Sequence, residues 1–148
     1  MPEVIPFAAL AVLAVAGAVT DVLTRRIPNW LNLVIFVGGI IVVGAAGAWS
    51  EIWPHLLHFV IALAAGLTLF GFGMWGGGDA KFYSALALWF PLGDGPMLAL
   101  SIAVAGVAVL VLMLIWSRIR PRPDWSKELP YGAAIASGAV ITTVLTTL

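Results

Sequence analysis

From Met97 to Trp116 no side chain carries a charge. A helix crossing a hydrocarbon core of roughly 30 Å needs about 20 mainly apolar residues. Lipid offers the backbone no hydrogen-bond partner, so such a stretch must bond within itself as a helix. Similar apolar stretches run over Val4–Thr20, Trp30–Trp49, Trp53–Trp75, Phe82–Leu92 and Tyr131–Leu148, several of them bounded by tryptophan, as at a membrane interface. Composition agrees: 62% of residues are hydrophobic and 9% charged, against roughly 45–50% and about 25% in a soluble domain. The expected fold is all-α, a polytopic membrane protein with six transmembrane helices in a single domain, residues 1–148. Met1-Pro2-Glu3 lacks the positive charge of a secretory signal, so the first segment is expected to remain as a membrane helix. A net charge of zero gives no footprint for nucleic acid. The absence of cysteine excludes disulfides, thiolate catalysis and cysteine metal sites.

The fourth segment is short for a span, and the basic residues decide its reading. Arg25 and Arg26 fall between segments one and two, Lys81 between three and four, and Arg118, Arg120, Arg122 and Lys127 between five and six. The connections around Glu51 and Asp94 contain no lysine or arginine. Six crossings place all 7 basic residues on one face. The positive-inside rule makes that face cytoplasmic, with both termini outside. Asp21, ending the first segment, and Asp79, opening the fourth, then share one depth at the cytoplasmic boundary.

An ionised side chain at membrane depth costs about 2.5–3.5 kcal/mol on insertion scales, so intramembrane aspartates are functional candidates. Taken singly, Asp79 reads as a helix N-cap after glycines, and Asp21 as an ion-pair partner of Arg25 four residues on. As a pair they read differently. Two carboxyl groups held close share a proton, one ionised and one protonated, as in aspartic proteases. The ionised member takes a proton from an attacking water while the protonated member polarises the scissile carbonyl and later serves the leaving amine. That chemistry needs neither metal nor cofactor. Gly76-Gly77-Gly78 is expected to end the third helix and to let an extended substrate approach Asp79. Lys81 either holds a negative charge near Asp79 or marks the cytoplasmic boundary. Asn29 reads as the cap of segment two. His55 and His58, three apart, have metal-ligand spacing but lie on the far face, where an interfacial role is expected. Gly71-Phe-Gly73-Met-Trp-Gly76 matches a dinucleotide fingerprint in letters only, since no strand precedes it. The loop from Arg118 to Lys127 reads as a topology anchor able to meet anionic lipid.

Asp21-Val-Leu-Thr-Arg-Arg-Ile27-Pro28-Asn29 reads D-x5-I-P-N, and Gly76-Gly77-Gly78-Asp79-Ala80-Lys81 reads G-x-G-D-x-K. With these paired motifs the chain resembles the type IV prepilin peptidases, membrane aspartic proteases of the GxGD kind. Pro130-Tyr131-Gly132-Ala133 is similar to that family's P-Y-G-P pattern, with Ala133 where proline is common, and no role is assigned to it. The resemblance implies Asp21 and Asp79 as the catalytic pair, with Gly76, Gly78 and Lys81 in support. It implies a prepilin or pilin-like precursor as substrate, cut at the cytoplasmic boundary of a bacterial or archaeal inner membrane. Only four residues separate Thr24 from Asn29 and no cysteine is present, so the chain resembles the short, peptidase-only form of tight-adherence (Flp) pili, without methyltransferase activity. Presenilin-like proteases share G-x-G-D but carry tyrosine-aspartate as the partner motif, whereas Asp21 follows Thr20. Two other readings use the same residues: a small proton-coupled transporter or channel subunit relaying protons through Asp21 and Asp79, and a structural membrane subunit indifferent to both.

Overall fold

The computed structural model describes residues 4–45, 52–119 and 130–147. They form α1 (Val4–Thr24), α2 (Asn29–Ala45), α3 (Ile52–Gly71), α4 (Gly77–Ala87), a 3₁₀ turn (Leu92–Asp94), α5 (Gly95–Ile119) and α6 (Tyr131–Thr147). The chain is a polytopic helical membrane protein. By length and composition α1, α3 and α5 can each cross a bilayer. Their outer faces present Val12, Val60, Val104 and Leu112, each more than half exposed, a pattern matched to lipid rather than water. Glu51, Arg120, Arg122 and Lys127 lie outside the described residues, as do Trp49 and Leu148.

Helix ends fall where local chemistry stops them. Asp21 is inside α1, which continues to Thr24. The α1 helix ends with Arg25 in the left-handed region (φ 54°), whose N–H donates to the Asp21 carbonyl at 2.8 Å. α3 ends at Gly71, short of the glycine run. Gly73 takes φ 71°, and Met74 N–H bonds the Leu69 carbonyl while Gly73 N–H bonds that of Phe70, a Schellman closure. The run Gly76–Gly78 therefore begins α4 instead of ending α3.

Eleven residues of helix rise about 16 Å, half of a bilayer core, and α4 is the most enclosed element. Ala80, Phe82, Leu86 and Ala87 are fully buried. α4 runs antiparallel to α3: Ala80 lies against Gly66, and the Leu88 carbonyl meets His55 eleven residues back along α3. The fourth segment thus traverses the bundle through protein, which also supplies partners for the ends that lipid cannot. Its C-terminal end tightens through Trp89 N–H to Leu86 and Phe90 N–H to Ala87. His55 Nδ1 then donates to the Leu88 carbonyl at 2.9 Å and His58 Nδ1 to that of Phe90 at 3.0 Å. A carbonyl can only accept, which assigns the hydrogen of both rings to Nδ1. The expected interfacial role is corrected here: His58 is 2% exposed, and the pair closes the inner end of α4.

Small residues let the helices meet. A Cβ on Gly17 would overlap the Phe82 ring, one on Gly66 would lie 2.9 Å from Ala80 Cα, and one on Gly138 would lie 2.6 Å from the Ile102 nitrogen. Without a hydrophobic drive between helices in lipid, such close packing is what associates them. Gly39 admits Trp89, whose Nε1 donates to the Ile35 carbonyl at 2.9 Å.

Replacing His58 by leucine leaves the Phe90 carbonyl buried and unbonded, and is expected to cost about 1–3 kcal/mol, read as a lower unfolding temperature in detergent micelles. The opposite sign is expected at Asn32, which is buried with neither amide atom hydrogen-bonded. Asn32→Leu removes an unpaired polar group and should raise that temperature; a fall would show that the amide is satisfied in the bilayer.

Candidate active site

Asp21 sits in the last turn of α1, 7% exposed. Its Oδ2 accepts the N–H of Gly132, in the first turn of α6, at 2.9 Å. Only glycine fits there, because a Cβ on residue 132 would lie 2.8 Å from Asp21 Cβ and Oδ2. Pro130 precedes α6 and Tyr131 opens it, so the N-terminal amides of α6 face the carboxylate, where the helix dipole favours negative charge.

Asp79 is built on the same principle. Gly76 is the N-cap of α4 and Asp79 its third residue, so the N-cap expected at Asp79 is corrected to N3. The Asp79 side chain folds back, and its Oδ2 accepts the Gly76 N–H at 3.0 Å. A Cβ on Gly76 would lie 3.1 Å from that oxygen, so the glycine gives the carboxylate its room. At Gly78 a Cβ would meet Ile27 at 3.7 Å, an ordinary contact; no steric demand for glycine exists there.

The two motifs touch. Gly78 lies against Ile27, and Lys81 Nζ donates to Asn29 Oδ1 at 3.1 Å, joining the last residue of each motif. Asn29 is the first residue of α2 and its side-chain oxygen serves Lys81, which corrects the capping role expected for it. Asp21 and Asp79 both line one open cavity of about 610 Å³, together with Thr20, Arg25, Asn29 and Gly77. Arg25, Arg26 and Lys81 stand at this end of the bundle. Arg118 does so too, since α5 runs back along α6 past Tyr131. Among the described residues no three His, Cys, Asp or Glu side chains are grouped to hold a metal ion.

An all-helical membrane bundle with two carboxyl groups from separate helices opening on one cavity at its end is a polytopic membrane protein with a diacidic site. Residues 8–119 match the type IV leader peptidase family, and the chain belongs to that family. It is 30% identical over 135 residues to a prepilin leader peptidase/N-methyltransferase of Pectobacterium carotovorum subsp. carotovorum, the matched region being 82% of this chain and 44% of that protein. The chain thus spans less than half the length of that relative. No solved structure matches it.

Gly132 carries no role in the sequence, where its motif is only a family likeness, yet its amide holds Asp21. Gly132→Ala is expected to lose about 1–3 kcal/mol by forcing a Cβ into Asp21. Gly106→Ala, where a Cβ meets Ala134 at 3.8 Å, should be near neutral. Thermal unfolding of the two variants in one detergent makes the comparison.

Proposed function

We propose that this chain is a membrane aspartic endopeptidase that removes the leader of type IV prepilins, of the Flp-like kind, with Asp21 and Asp79 as its catalytic pair. The observation that carries the reading is the meeting of two acidic side chains, from different helices and motifs, on one cavity, each anchored by a backbone N–H. With one oxygen of each carboxylate so held, the other is the one presented to water and substrate. The cavity has the size of ordinary ligand sites, enough for a short extended peptide.

The ionised carboxylate takes a proton from water as that water attacks the scissile carbonyl carbon, while the protonated carboxyl donates a hydrogen bond to the carbonyl oxygen. The tetrahedral oxyanion, held by that hydrogen bond, then collapses. The C–N bond breaks, the leaving nitrogen receives the proton of the carboxyl that polarised the carbonyl, and the pair is left with a single shared proton, the one taken from water. The charge asymmetry of the loops supports a cavity at the cytoplasmic face with both termini outside, and in this reading the membrane is the inner membrane of a bacterium or archaeon. A pilin-like precursor carries its leader into the cytoplasm and its apolar helix in the bilayer, and a cavity at that boundary reaches the junction between them. The 1–148 chain acts in this reading as one integral-membrane domain, with Gly76, Gly78 and Lys81 shaping the floor around Asp79.

Asp21→Asn and Asp79→Asn are each expected to lower cleavage of a pilin precursor from the same genome by about 10²–10⁴-fold. Both should insert and purify as the wild type does. Reconstituted cleavage with mass spectrometry of the new N-terminus tests this; substantial proteolysis by either variant overturns the diaspartyl assignment. A folded wild type that cuts none of several precursors turns the question to proton flux through the same carboxylates.

A further inference from the structure

Each carboxylate is oriented by a glycine amide, and the residue before each of those glycines is aromatic. Trp75 precedes Gly76, which holds Asp79, and Tyr131 precedes Gly132, which holds Asp21. A planar trans peptide fixes neighbouring Cα atoms about 3.8 Å apart, so each ring is one rigid unit away from an N–H that aims a carboxylate.

The two rings meet. Trp75 and Tyr131 have centroids 6.1 Å apart at 47°. On α4, Tyr83 packs edge-on against Trp75 at 5.6 Å and 85°. Both separations lie in the range where aromatic pairs contribute beyond area burial. Tyr83 is four residues after Asp79, one helical turn, so it ties the loop ring Trp75 to the helix that carries Asp79. The row Tyr83, Trp75, Tyr131 therefore runs from α4 to the start of α6. α1 and α4 meet at Gly17 and Phe82, a full turn deeper than Asp21. At the depth of the carboxylates, Asn29 and Lys81 link α2 to α4, and the aromatic row links α4 to α6.

We propose that Trp75 and Tyr131 are positioning residues whose ring contact sets the spacing between the Asp21 and Asp79 carboxyl groups. The inference rests on the diaspartyl reading for its consequence in catalysis, and on geometry alone for the spacing. Loss of the contact lets the first turns of α4 and α6 move independently. The carboxylates then keep their own amide bonds but lose their mutual register.

Two measurements test it. The chain has no native cysteine, so Thr24→Cys and Gly77→Cys supply a clean pair of spin-label sites on the two sides of the cavity. A Cβ at Gly77 meets only the Phe70 ring edge, at 3.8 Å. Dipolar distance distributions are expected to shift or broaden when Trp75→Leu or Tyr131→Leu is added, and to stay as in the parent with Tyr131→Phe or Trp75→Phe, which keep a ring. Precursor cleavage is read in parallel, in the chain without added cysteines. The leucine variants should lose roughly 10–100-fold in kcat with KM little changed, since misplacement by about 1 Å suffices for such a loss. The double leucine variant should lose little more than the worse single one, because the contact can be broken only once. Unchanged distances in both leucine variants overturn the proposal, as do additive losses in the double variant. So does a loss in Tyr131→Phe as large as in Tyr131→Leu, which would assign the effect to the hydroxyl. If the wild type cleaves nothing, the functional reading fails, and the distance measurement alone still decides the spacing.

Discussion

A helix that ends inside a bilayer leaves amide hydrogens at one end and carbonyls at the other with no water to bond. α4, at eleven residues, faces this at its C-terminal end. At its inner end two histidines from α3 donate to the carbonyls of Leu88 and Phe90. At its N-terminal end, which opens on the cavity, Asp79 turns back to the Gly76 amide. The shortness of α4 thus accounts for the imidazoles packed at its end away from the carboxylates.

The second carboxylate repeats the arrangement on another helix. Asp21 lies in the last turn of α1, but its partner is the first turn of α6, so both acids of the cavity lie at helix N-termini, Asp79 at that of its own helix and Asp21 at that of a distant one. Positive helix ends stabilise negative charge there, while the approach of two acids disfavours ionising both. That tension is what a shared-proton pair requires. It holds only if the backbones come close, and the bundle manages this with glycine: residue 132 under Asp21, residue 17 under Phe82, residue 66 under Ala80. A methyl group at any of them would push apart the helices whose approach makes the cavity.

Much of this was open to reading. The apolar stretches gave the helix order, and Asp21 and Asp79 stood out because charge is scarce in a chain that must dissolve in lipid. The placing of the fourth span followed from lysine and arginine positions, and the antiparallel path of α4 along α3 agrees with it. The errors were local. Residue type and position suit Asn29 and Asp79 to caps, yet each serves a partner instead, Asn29 across the bundle at Lys81 and Asp79, three positions inside its helix, at Gly76. The histidines were put at the interface because histidine tolerates it, whereas His58 is enclosed. In each case a side chain had more than one acceptable partner, and propensity cannot choose between partners that are distant along the chain.

What the sequence by itself determined was the solvent and the span pattern, since apolar length and charge position act through free energies of transfer that need no knowledge of neighbours. It also determined which two acids were out of place. Only the tertiary structure decided that Gly132, 111 residues away, holds Asp21, that Lys81 clasps Asn29, and that Trp75 meets Tyr131. Those pairings depend on how closely particular backbones approach, a property of packed helices and not of any one segment.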